Sequence, residues 1–350
     1  METRLKELLS ELIRIPSPTG QERALQEYLE GRLKRLGFTC LWQEVLPSRP
    51  NLIAWRGRSS LLLCTHADTL PASSYELIES GPFLKGRGVI DAKGQIAAIL
   101  LAVERTDAPV ALAFTVDEED KGVGGKELAI LPWVQKAVVL EPTGLQIANA
   151  QAGAIEVEII VKGREVHGAC PERGENSILK ALKLLEQIQR LPSLQREHPL
   201  FPPPFVTPYW IQGGDPELYL VPGETRVRVD IKITPSMDMG QILAELENFV
   251  APFGSMKLLD SDPPFETSPE AGIIGLLRAA CEDAMGMEPS LVGMPSWTDA
   301  EPLHRKGLEV VVFGAGEIHL AHTGQEMVKA EELVKLTRVL ESLLIRAAGE

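Results

Sequence analysis

Histidine and carboxylate side chains recur at the ends of apolar or glycine-rich runs in this sequence. The runs and the residues beyond them are SLLLCT before His66 and Asp68, KGRGVI before Asp91, ALAFTV before Glu118 and Glu119, KAVVL before Glu141, and EVVVFGAG before His322. If the runs are strands of an α/β sheet, their carboxyl ends form one ligand-binding edge. Two histidines with several carboxylates suit zinc, with cobalt or manganese as substitutes. The pattern therefore predicts a metal site.

Each of these residues, taken alone, also has an ordinary structural explanation. An Asp or Glu after a strand is usually a helix cap or a solvated loop residue. A lone histidine is usually a surface residue or a satisfied core residue, which is our interpretation of His198 and His304. The acidic run DEED at residues 117–120 could be a solvated turn. Recurrence of the same residue types after several strands favours the metal site.

The adjacent carboxylates Glu118 and Glu119 suit hydrolysis. If Glu119 binds a metal, Glu118 stays unligated and can act as a base. A metal lowers the pKa of its bound water to roughly 7, so a nearby carboxylate can accept that proton at neutral pH. Asp68 lies two residues after His66, and a metal-binding imidazole usually gives its other N–H to a carboxylate that fixes its orientation. We therefore expect Asp68 to orient His66.

The elements that must position these residues alternate between strand and helix. Short apolar runs at NLIAW, SLLLCTH, PVALAFTV and KAVVLEP predict buried strands, and residues 92–105 predict an intervening helix. Leucines at helical spacing predict a helix at the start of the chain, and Thr19 and Glu22 predict a capping box for the next helix. The alternation predicts an α/β sheet covered on both faces.

The pattern changes from Ala154 onward. Alternating apolar residues predict a strand with one wet face, and a helix at 176–191, the strand TRVRVDIKI and a helix near MGQILAELENFV follow. After DSDPPFETSPE, helical spacing and the strand EVVVFGAG return. We therefore predict two domains, a discontinuous α/β domain of residues 1–150 and 266–350 and an inserted α+β domain of residues 151–265.

Length and composition support this division and exclude several classes of function. A chain of 350 residues exceeds what one hydrophobic core usually serves. Its net charge of −14 and the absence of a basic run argue against nucleic-acid binding. No apolar run approaches the ~18 residues of a membrane span, the first segment carries charges unlike a secretory leader, and the four cysteines lack CxxC spacing. We expect a cytoplasmic protein.

The ordered motifs resemble the zinc-dependent amidohydrolase and metallopeptidase family of acetylornithine deacetylase, acetyl-lysine deacetylase, succinyl-diaminopimelate desuccinylase, aminoacylase and glutamate carboxypeptidase. The motifs are THADT, GRGVIDAKG, DEED, EPT, the HG of REVHGACPERGENSI, and HTGQE, and their order covers nearly the whole chain. The resemblance implies a split catalytic α/β domain with a mixed sheet flanked by helices. It also implies that residues 151–265 form a lid and dimerisation domain, hence a homodimer.

The same resemblance implies two divalent metal ions, with zinc favoured and cobalt possible. Its implied ligands are His66 and Glu141 for one ion, Glu119 and His322 for the other, and Asp91 bridging both. A single carboxylate can span two metals that lie ~3.5–4 Å apart. Glu118 would be the general base and would then deliver the proton to the leaving amine.

His167 resembles a family histidine that stabilises the oxyanion, often across the dimer, and the alternative is a surface histidine of the lid. Where relatives often carry Asn before an apolar-apolar-Pro-Gly turn, this chain has Tyr219, which alters that polar contact. Arg228 is a candidate clamp for a substrate carboxylate, because guanidinium binds carboxylates in bidentate fashion. The alternative for Arg228 is an exposed strand residue.

The loop PSWTDA occupies the place of the family's Gly-Gly-Thr/Ser-Asp loop. Ser296 and Trp297 replace small residues there, so the pocket would be reshaped. Thr298 is the remaining candidate contact for a substrate carboxylate.

The predicted function is removal of an acyl group from the amino group of a small N-acyl amino acid, in the manner of acetylornithine or acetyl-lysine deacetylase in amino-acid biosynthesis. A dipeptidase or carboxypeptidase with the same metal site is the first alternative. A metal-binding or ligand-binding protein without catalysis is the second, and Glu118, which binding would not require, argues against it.

Overall fold

The computed structural model describes residues 1–349. Its α-helices are α1 (Glu2–Ile13), α2 (Arg23–Arg35), α3 (Lys93–Arg105), α4 (Val123–Glu127), α5 (Ser177–Ile188), α6 (Met239–Val250), α7 (Gly272–Met285), α8 (Ala300–Arg305) and α9 (Ala330–Ala347). Its strands are β1 (Thr39–Leu46), β2 (Arg49–Arg56), β3 (Leu61–His66), β4 (Ile78–Ser80), β5 (Phe83–Lys85), β6 (Val110–Thr115), β7 (Lys136–Val139), β8 (Ile147–Gln151), β9 (Gly153–Lys162), β10 (Val166–His167), β11 (Val206–Gly213), β12 (Leu220–Val221), β13 (Glu224–Ile233), β14 (Gly254–Asp262), β15 (Phe265–Glu266), β16 (Leu291–Met294), β17 (Glu309–Val312) and β18 (Met327–Lys329). None of the helices in this range combines the length and apolar character that a membrane crossing requires.

The described chain divides into two compact units. The first comprises Met1–Asn149, Thr267–Met294 and the chain from Thr298 onward, and the second comprises Ala150–Glu266 with the short segment Pro295–Trp297. The sequence predicted an insertion at residues 151–265 and did not anticipate that Pro295–Trp297 would join it.

The first unit contains a mixed sheet with strand order β1-β2-β6-β3-β7-β17-β8, and β16 pairs with β8. Strands β6, β3, β7 and β17 run parallel, whereas β1, β2 and β8 each pair antiparallel with a neighbour. Strands β3 and β6 are buried along their whole length, as expected where both faces of a sheet are covered. Helices α1, α3, α7 and α9 pack against one another. The predicted α/β fold with a mixed sheet flanked by helices is confirmed.

The parallel strands bring the candidate residues to one edge of the sheet. Strand β3 ends at His66 itself, β6 ends at Thr115 just before the DEED run, and β7 ends two residues before Glu141. Because parallel strands share one direction, the chain segments that leave them emerge side by side. The sheet therefore gathers residues that are distant in the sequence.

The predicted capping box at the start of α2 is wrong. The helix begins at Arg23, and no side chain caps it. The Thr19 hydroxyl donates to Asp68 Oδ2 at 2.9 Å instead, and the buried Glu22 carboxylate pairs with the Arg49 guanidinium at 2.5 Å. Charged partners from distant segments therefore outcompete the local capping hydrogen bonds, which are worth about 1 kcal/mol each.

The second unit is built on a four-stranded antiparallel sheet with strand order β11-β13-β9-β14. Along β9 and β13 buried residues alternate with more accessible ones, so one face of each strand is apolar. The buried residues Ile155, Val157, Ile159 and Val161 of β9 join the core that also contains Leu184 of α5 and Leu246 of α6. The opposite face carries charged side chains.

Replacement of Ile159 by Ala should destabilise the second unit by about 2–5 kcal/mol, because Ile159 is fully buried in that core. The matched substitution Ile160→Ala lies on the opposite face of the same strand and should cost less than half as much. Urea unfolding followed by tryptophan fluorescence tests this, since Trp210 lies on β11 of the same unit. Equal losses for the two variants would contradict the assignment of the faces.

Candidate active site

Five of the predicted site residues lie together in the first unit and form two groups that share Asp91. In one group, His66 Nε2 lies 2.7 Å from Asp91 Oδ1 and 3.6 Å from Glu141 Oε1. In the other, His322 Nε2 lies 3.2 Å from Asp91 Oδ2 and 2.7 Å from Glu119 Oε2. Each oxygen of the Asp91 carboxylate therefore faces a different histidine, and each histidine lies near a different glutamate.

The chemistry of these donors fits divalent cations. His66, Asp91 and Glu119 each offer a ligand atom, and these atoms lie within 4.8 Å of one another. In the described part of the chain, the buried atoms Glu119 Oε1 and Glu141 Oε1 have no hydrogen-bond partner. Burial of carboxylate oxygens without partners is costly unless a positive charge compensates them. Nitrogen and oxygen donors of this kind are typical zinc ligands.

Raised pKa values of the site residues also indicate that the cluster favours positive charge. Burial lowers the pKa of His66, but the charge of Glu141 and the hydrogen bond to Asp91 raise it well above its ordinary value. Hydrogen bonds to Asp91 and Glu119 raise the pKa of His322 to about 10. Desolvation raises the pKa of Glu141 well above its usual range, and nearby carboxylates raise it further. The cluster therefore attracts cations, whether protons or metal ions.

Asp68 has a different contact from the one that the sequence predicted. The other imidazole nitrogen of His66, Nδ1, lies 2.9 Å from the main-chain carbonyl of Asp68, whereas the carboxylate Oδ1 is 3.6 Å away, beyond hydrogen-bond distance. The carboxylate instead accepts the main-chain N–H groups of Glu118 at 3.2 Å and Glu119 at 3.1 Å, together with the Thr19 hydroxyl. The carbonyl therefore orients His66, and the carboxylate positions the glutamate pair.

Glu118 lies beside the proposed ligands but belongs to neither of the two groups that share Asp91. Desolvation raises the pKa of the Glu118 carboxyl well above its ordinary value, His66 opposes this shift, and Glu141 adds to it. A carboxyl group whose pKa is raised in this way takes up a proton more readily than an exposed glutamate does. Glu118 therefore suits proton transfer.

The turn that carries Glu118 and Glu119 is also held by residues that sequence reasoning missed. The Arg49 guanidinium lies 2.8 Å from Asp117 Oδ1 and 2.5 Å from Glu22 Oε1. Asn51 Oδ1 accepts the N–H of Val116 at 3.1 Å. Both Arg49 and Asn51 lie on β2, and no spacing in the sequence connects them with a turn more than sixty residues later.

Asp299 is another residue that the sequence did not single out, although it belongs to the PSWTDA loop. It is buried, it accepts the Thr115 hydroxyl at 2.5 Å, and burial raises its pKa to about 6. Its neighbour Thr298 is also buried, and the Thr298 hydroxyl accepts the N–H of Ala300 at 3.1 Å. Contact between Thr298 and a substrate carboxylate stays a prediction.

His167 lies in the second unit, on β10. Strand β10 pairs antiparallel with β12, and His167 lies opposite Leu220. The exposed imidazole accepts the N–H of Ala169 at Nδ1, at 3.1 Å, and the ring of Tyr219 stands edge-on at 5.9 Å. Because Nδ1 accepts a hydrogen bond, the neutral ring carries its proton on Nε2. His167 therefore presents an N–H donor.

Arg228 is exposed on β13 of the second unit. Its Nε lies 2.9 Å from Glu158 Oε2 on the neighbouring strand, and its guanidinium lies 5.2 Å from the centre of the Trp210 ring. These contacts suit the exposed strand residue that was the alternative interpretation. The role of Arg228 as a carboxylate clamp stays a prediction.

Residues 62–346 match the family model described as Peptidase family M20/M25/M40. The chain belongs to this family. It is therefore a hydrolase of a metallopeptidase family, and the cluster around Asp91 is its candidate metal centre.

Relatives with different names match nearly the whole chain. Acetylornithine deacetylase from Myxococcus xanthus is 30% identical, over 99% of this chain and 98% of its own length. The LysW-lysine/LysW-ornithine hydrolase of Sulfurisphaera tokodaii is 26% identical, over 97% of this chain and 95% of its own length. The solved structure of aminopeptidase PepT from Bacillus cereus matches with a TM-score of 0.84 and 20% identity, covering 100% of this chain and 99% of that one. The last likeness concerns the fold alone.

Replacement of Asp68 by Asn should weaken metal binding by about 10- to 100-fold, the range typical for residues that support metal ligands. The two oxygens of Asp68 accept the main-chain N–H groups of Glu118 and Glu119. In asparagine one of these oxygens is an NH₂ group, which cannot accept a hydrogen bond, so we expect Glu119 to shift. The matched variant Thr19→Val removes only a hydrogen bond to the same carboxylate and should have a smaller effect. Competition with a chelator measures both. Unchanged affinity in Asp68→Asn would contradict the positioning role.

Proposed function

We propose that this chain is a dinuclear metal-dependent hydrolase that removes an acyl group from the amino group of an amino acid. The observation that carries the proposal is the two-sided environment of Asp91. One carboxylate oxygen faces His66, which lies near Glu141, and the other faces His322, which lies near Glu119. The names of the deacetylase and the LysW-lysine hydrolase support cleavage of an acyl-amino bond. Zinc is the favoured ion, and cobalt shares its ligand preferences.

The five proposed ligands would hold the ions, whose Lewis acidity would acidify a water molecule and polarise the scissile carbonyl. Glu118 would accept a proton from the attacking water and return it to the nitrogen of the leaving amine, so that the protons balance over one cycle. The Asp68 carboxylate serves this step by fixing the main chain of Glu118. Its contact with Thr19 completes that support.

His167 would stabilise the negative charge that develops on the carbonyl oxygen. Its Nδ1 accepts the Ala169 N–H, which leaves the Nε2–H as the donor for this charge. A donor placed in this way acts only when charge has developed, which is the condition for a faster chemical step.

The second unit would also provide the interface of a homodimer. Strand β11 is at the edge of its sheet, and Tyr209, Trp210 and Ile211 on it are exposed. Edge strands with apolar side chains tend to associate with another chain. A second copy of this chain is the proposed partner.

A dipeptidase or carboxypeptidase activity is the alternative. The family model is that of a peptidase family, and the PepT structure shares the fold. Both reactions break an amide bond, so the same metal centre and the same base would serve either one. The pocket contacts of the substrate decide between the two.

Removal of metal should abolish hydrolysis, and addition of zinc or cobalt to chelator-stripped protein should restore it. The test substrates are N-acetylornithine, N-acetyl-lysine, N-succinyl-diaminopimelate and several dipeptides. We expect restored cleavage of an N-acyl amino acid at a kcat/KM at least tenfold above that of any dipeptide. Metal-restored cleavage of dipeptides alone would move the assignment to the peptidases.

Replacement of Glu118 by Gln should lower turnover by about 10²- to 10⁴-fold, because the side chain can no longer accept a proton. The bound metal content should stay the same, since Glu118 is not a proposed ligand. Asp120→Asn is the matched control, because Asp120 is an exposed acid two residues away in the same turn. Steady-state rates and elemental analysis on all three proteins check this. A Glu118→Gln variant with the wild-type rate would remove Glu118 from the mechanism.

A further inference from the structure

We propose that Glu326 is a positioning residue for the metal centre, which ties together the two chain segments that supply Asp91 and His322. The inference rests on the proposed function in one respect, the assignment of Asp91 and His322 as metal ligands. Glu326 itself contacts no metal ligand through a ligand atom. Its role would be to fix where those ligand atoms lie.

The Glu326 carboxylate is buried and fully engaged with one short segment. Its side chain is 3% exposed. One oxygen, Oε1, accepts the main-chain N–H groups of Ile90 at 3.1 Å and Asp91 at 3.4 Å, while Oε2 accepts the Arg87 guanidinium at 2.9 Å. A charged acceptor forms stronger hydrogen bonds with N–H groups than a neutral one does. Glu326 therefore anchors the main chain at Asp91 itself.

The two segments are joined to a pair of neighbouring strands. Strands β5 and β18 pair antiparallel, and Lys85 at the end of β5 lies opposite Met327 at the start of β18. The segment 86–91, which follows β5, and the segment 322–326, which precedes β18, therefore begin side by side. At their far ends these segments carry Asp91 and His322, whose side chains approach to 3.2 Å between Oδ2 and Nε2. Glu326 lies in the segment 322–326, and its side chain binds the main chain of the segment 86–91. It therefore sets the distance between the two segments.

A glutamine holds the peptide group that precedes Asp91 from the opposite side. Gln95 Nε2 donates to the carbonyl of Ile90 at 2.8 Å and to the carbonyl of Ala315 at 2.8 Å. The carbonyl of Ile90 and the N–H of Asp91 belong to one peptide group, so Gln95 and Glu326 together fix the orientation of that group. This orientation determines which way the Asp91 carboxylate points, and hence whether its two oxygens can face His66 and His322 together.

A carboxylate elsewhere in the first unit provides the matched comparison. Glu332 on α9 is half-buried, and its carboxylate accepts the N–H of Gly316 at 3.3 Å. It therefore resembles Glu326 in charge and in the type of hydrogen bond, but its bond is to a segment that holds no proposed ligand. Both substitutions remove a charged acceptor of a main-chain N–H, although Glu326 is more deeply buried and makes two further hydrogen bonds.

The experiment measures metal binding to full-length Glu326→Gln, Glu326→Ala and the control Glu332→Gln. Chelator competition gives the zinc dissociation constants, and the visible absorption of the cobalt form reports ligand geometry. We expect Glu326→Gln to weaken binding of at least one ion by about 10- to 100-fold, Glu326→Ala to weaken it further, and both to alter the cobalt spectrum. Glu332→Gln should leave the constants and the spectrum unchanged.

Arg87→Met is the second variant, in case replacement of Glu326 prevents folding. It removes the guanidinium from Oε2 but keeps the contacts of Oε1 with Ile90 and Asp91, so we expect a smaller loss of metal affinity than for Glu326→Gln. Wild-type affinity and an unaltered cobalt spectrum in every variant that folds would overturn the proposal, even where thermal stability falls. Because the readout is metal binding, a wild-type protein that binds metal and cleaves no test substrate would contradict the proposed function alone.

Discussion

The electrostatic cost of burying several carboxylates in one place is the constraint on which the rest of this structure depends. An ionised carboxylate in a low-dielectric interior is unfavourable unless N–H groups or positive charges compensate it. Asp68 and Glu326 obtain that compensation from main-chain N–H groups. Glu119 and Glu141 each keep a buried oxygen without a partner in the described part of the chain. Asp68 and Glu326 therefore position the chain, whereas Glu119 and Glu141 have oxygens available to cations.

The fold makes such a concentration of charge possible. Strands β6, β3, β7 and β17 lie side by side and parallel, and apolar side chains bury β3 and β6 along their whole length. Hydrophobic burial of these strands holds their carboxyl ends together, and the polar residues lie in the segments that follow. Hydrophobic burial in the core of the first unit therefore offsets the unfavourable free energy of clustering these charges. Sites at the carboxyl ends of buried parallel strands are common in α/β enzymes.

The sequence predicted the fold class and most of the elements because period and burial are local properties of the chain. The alternation in β9 and the continuous apolar run in β3 are examples, and the residues that follow such runs were identified as site candidates for the same reason. Residues whose role depends on distant contacts gave no such signal. Glu326 binds the main chain of Asp91 across 235 residues, and Arg49 reaches Asp117 from the antiparallel strand β2. Where a local pattern competed with a distant partner, as for Thr19, the distant partner determined the structure.

Crystals of the zinc-loaded protein, with anomalous diffraction measured at the zinc edge, test the central claim most directly. The claim is that Asp91 is shared between two cation sites. It predicts two anomalous peaks about 3.5–4 Å apart, one near His66 and Glu141 and the other near Glu119 and His322, with one Asp91 oxygen directed at each. A single peak, or two peaks that do not share Asp91, would contradict it.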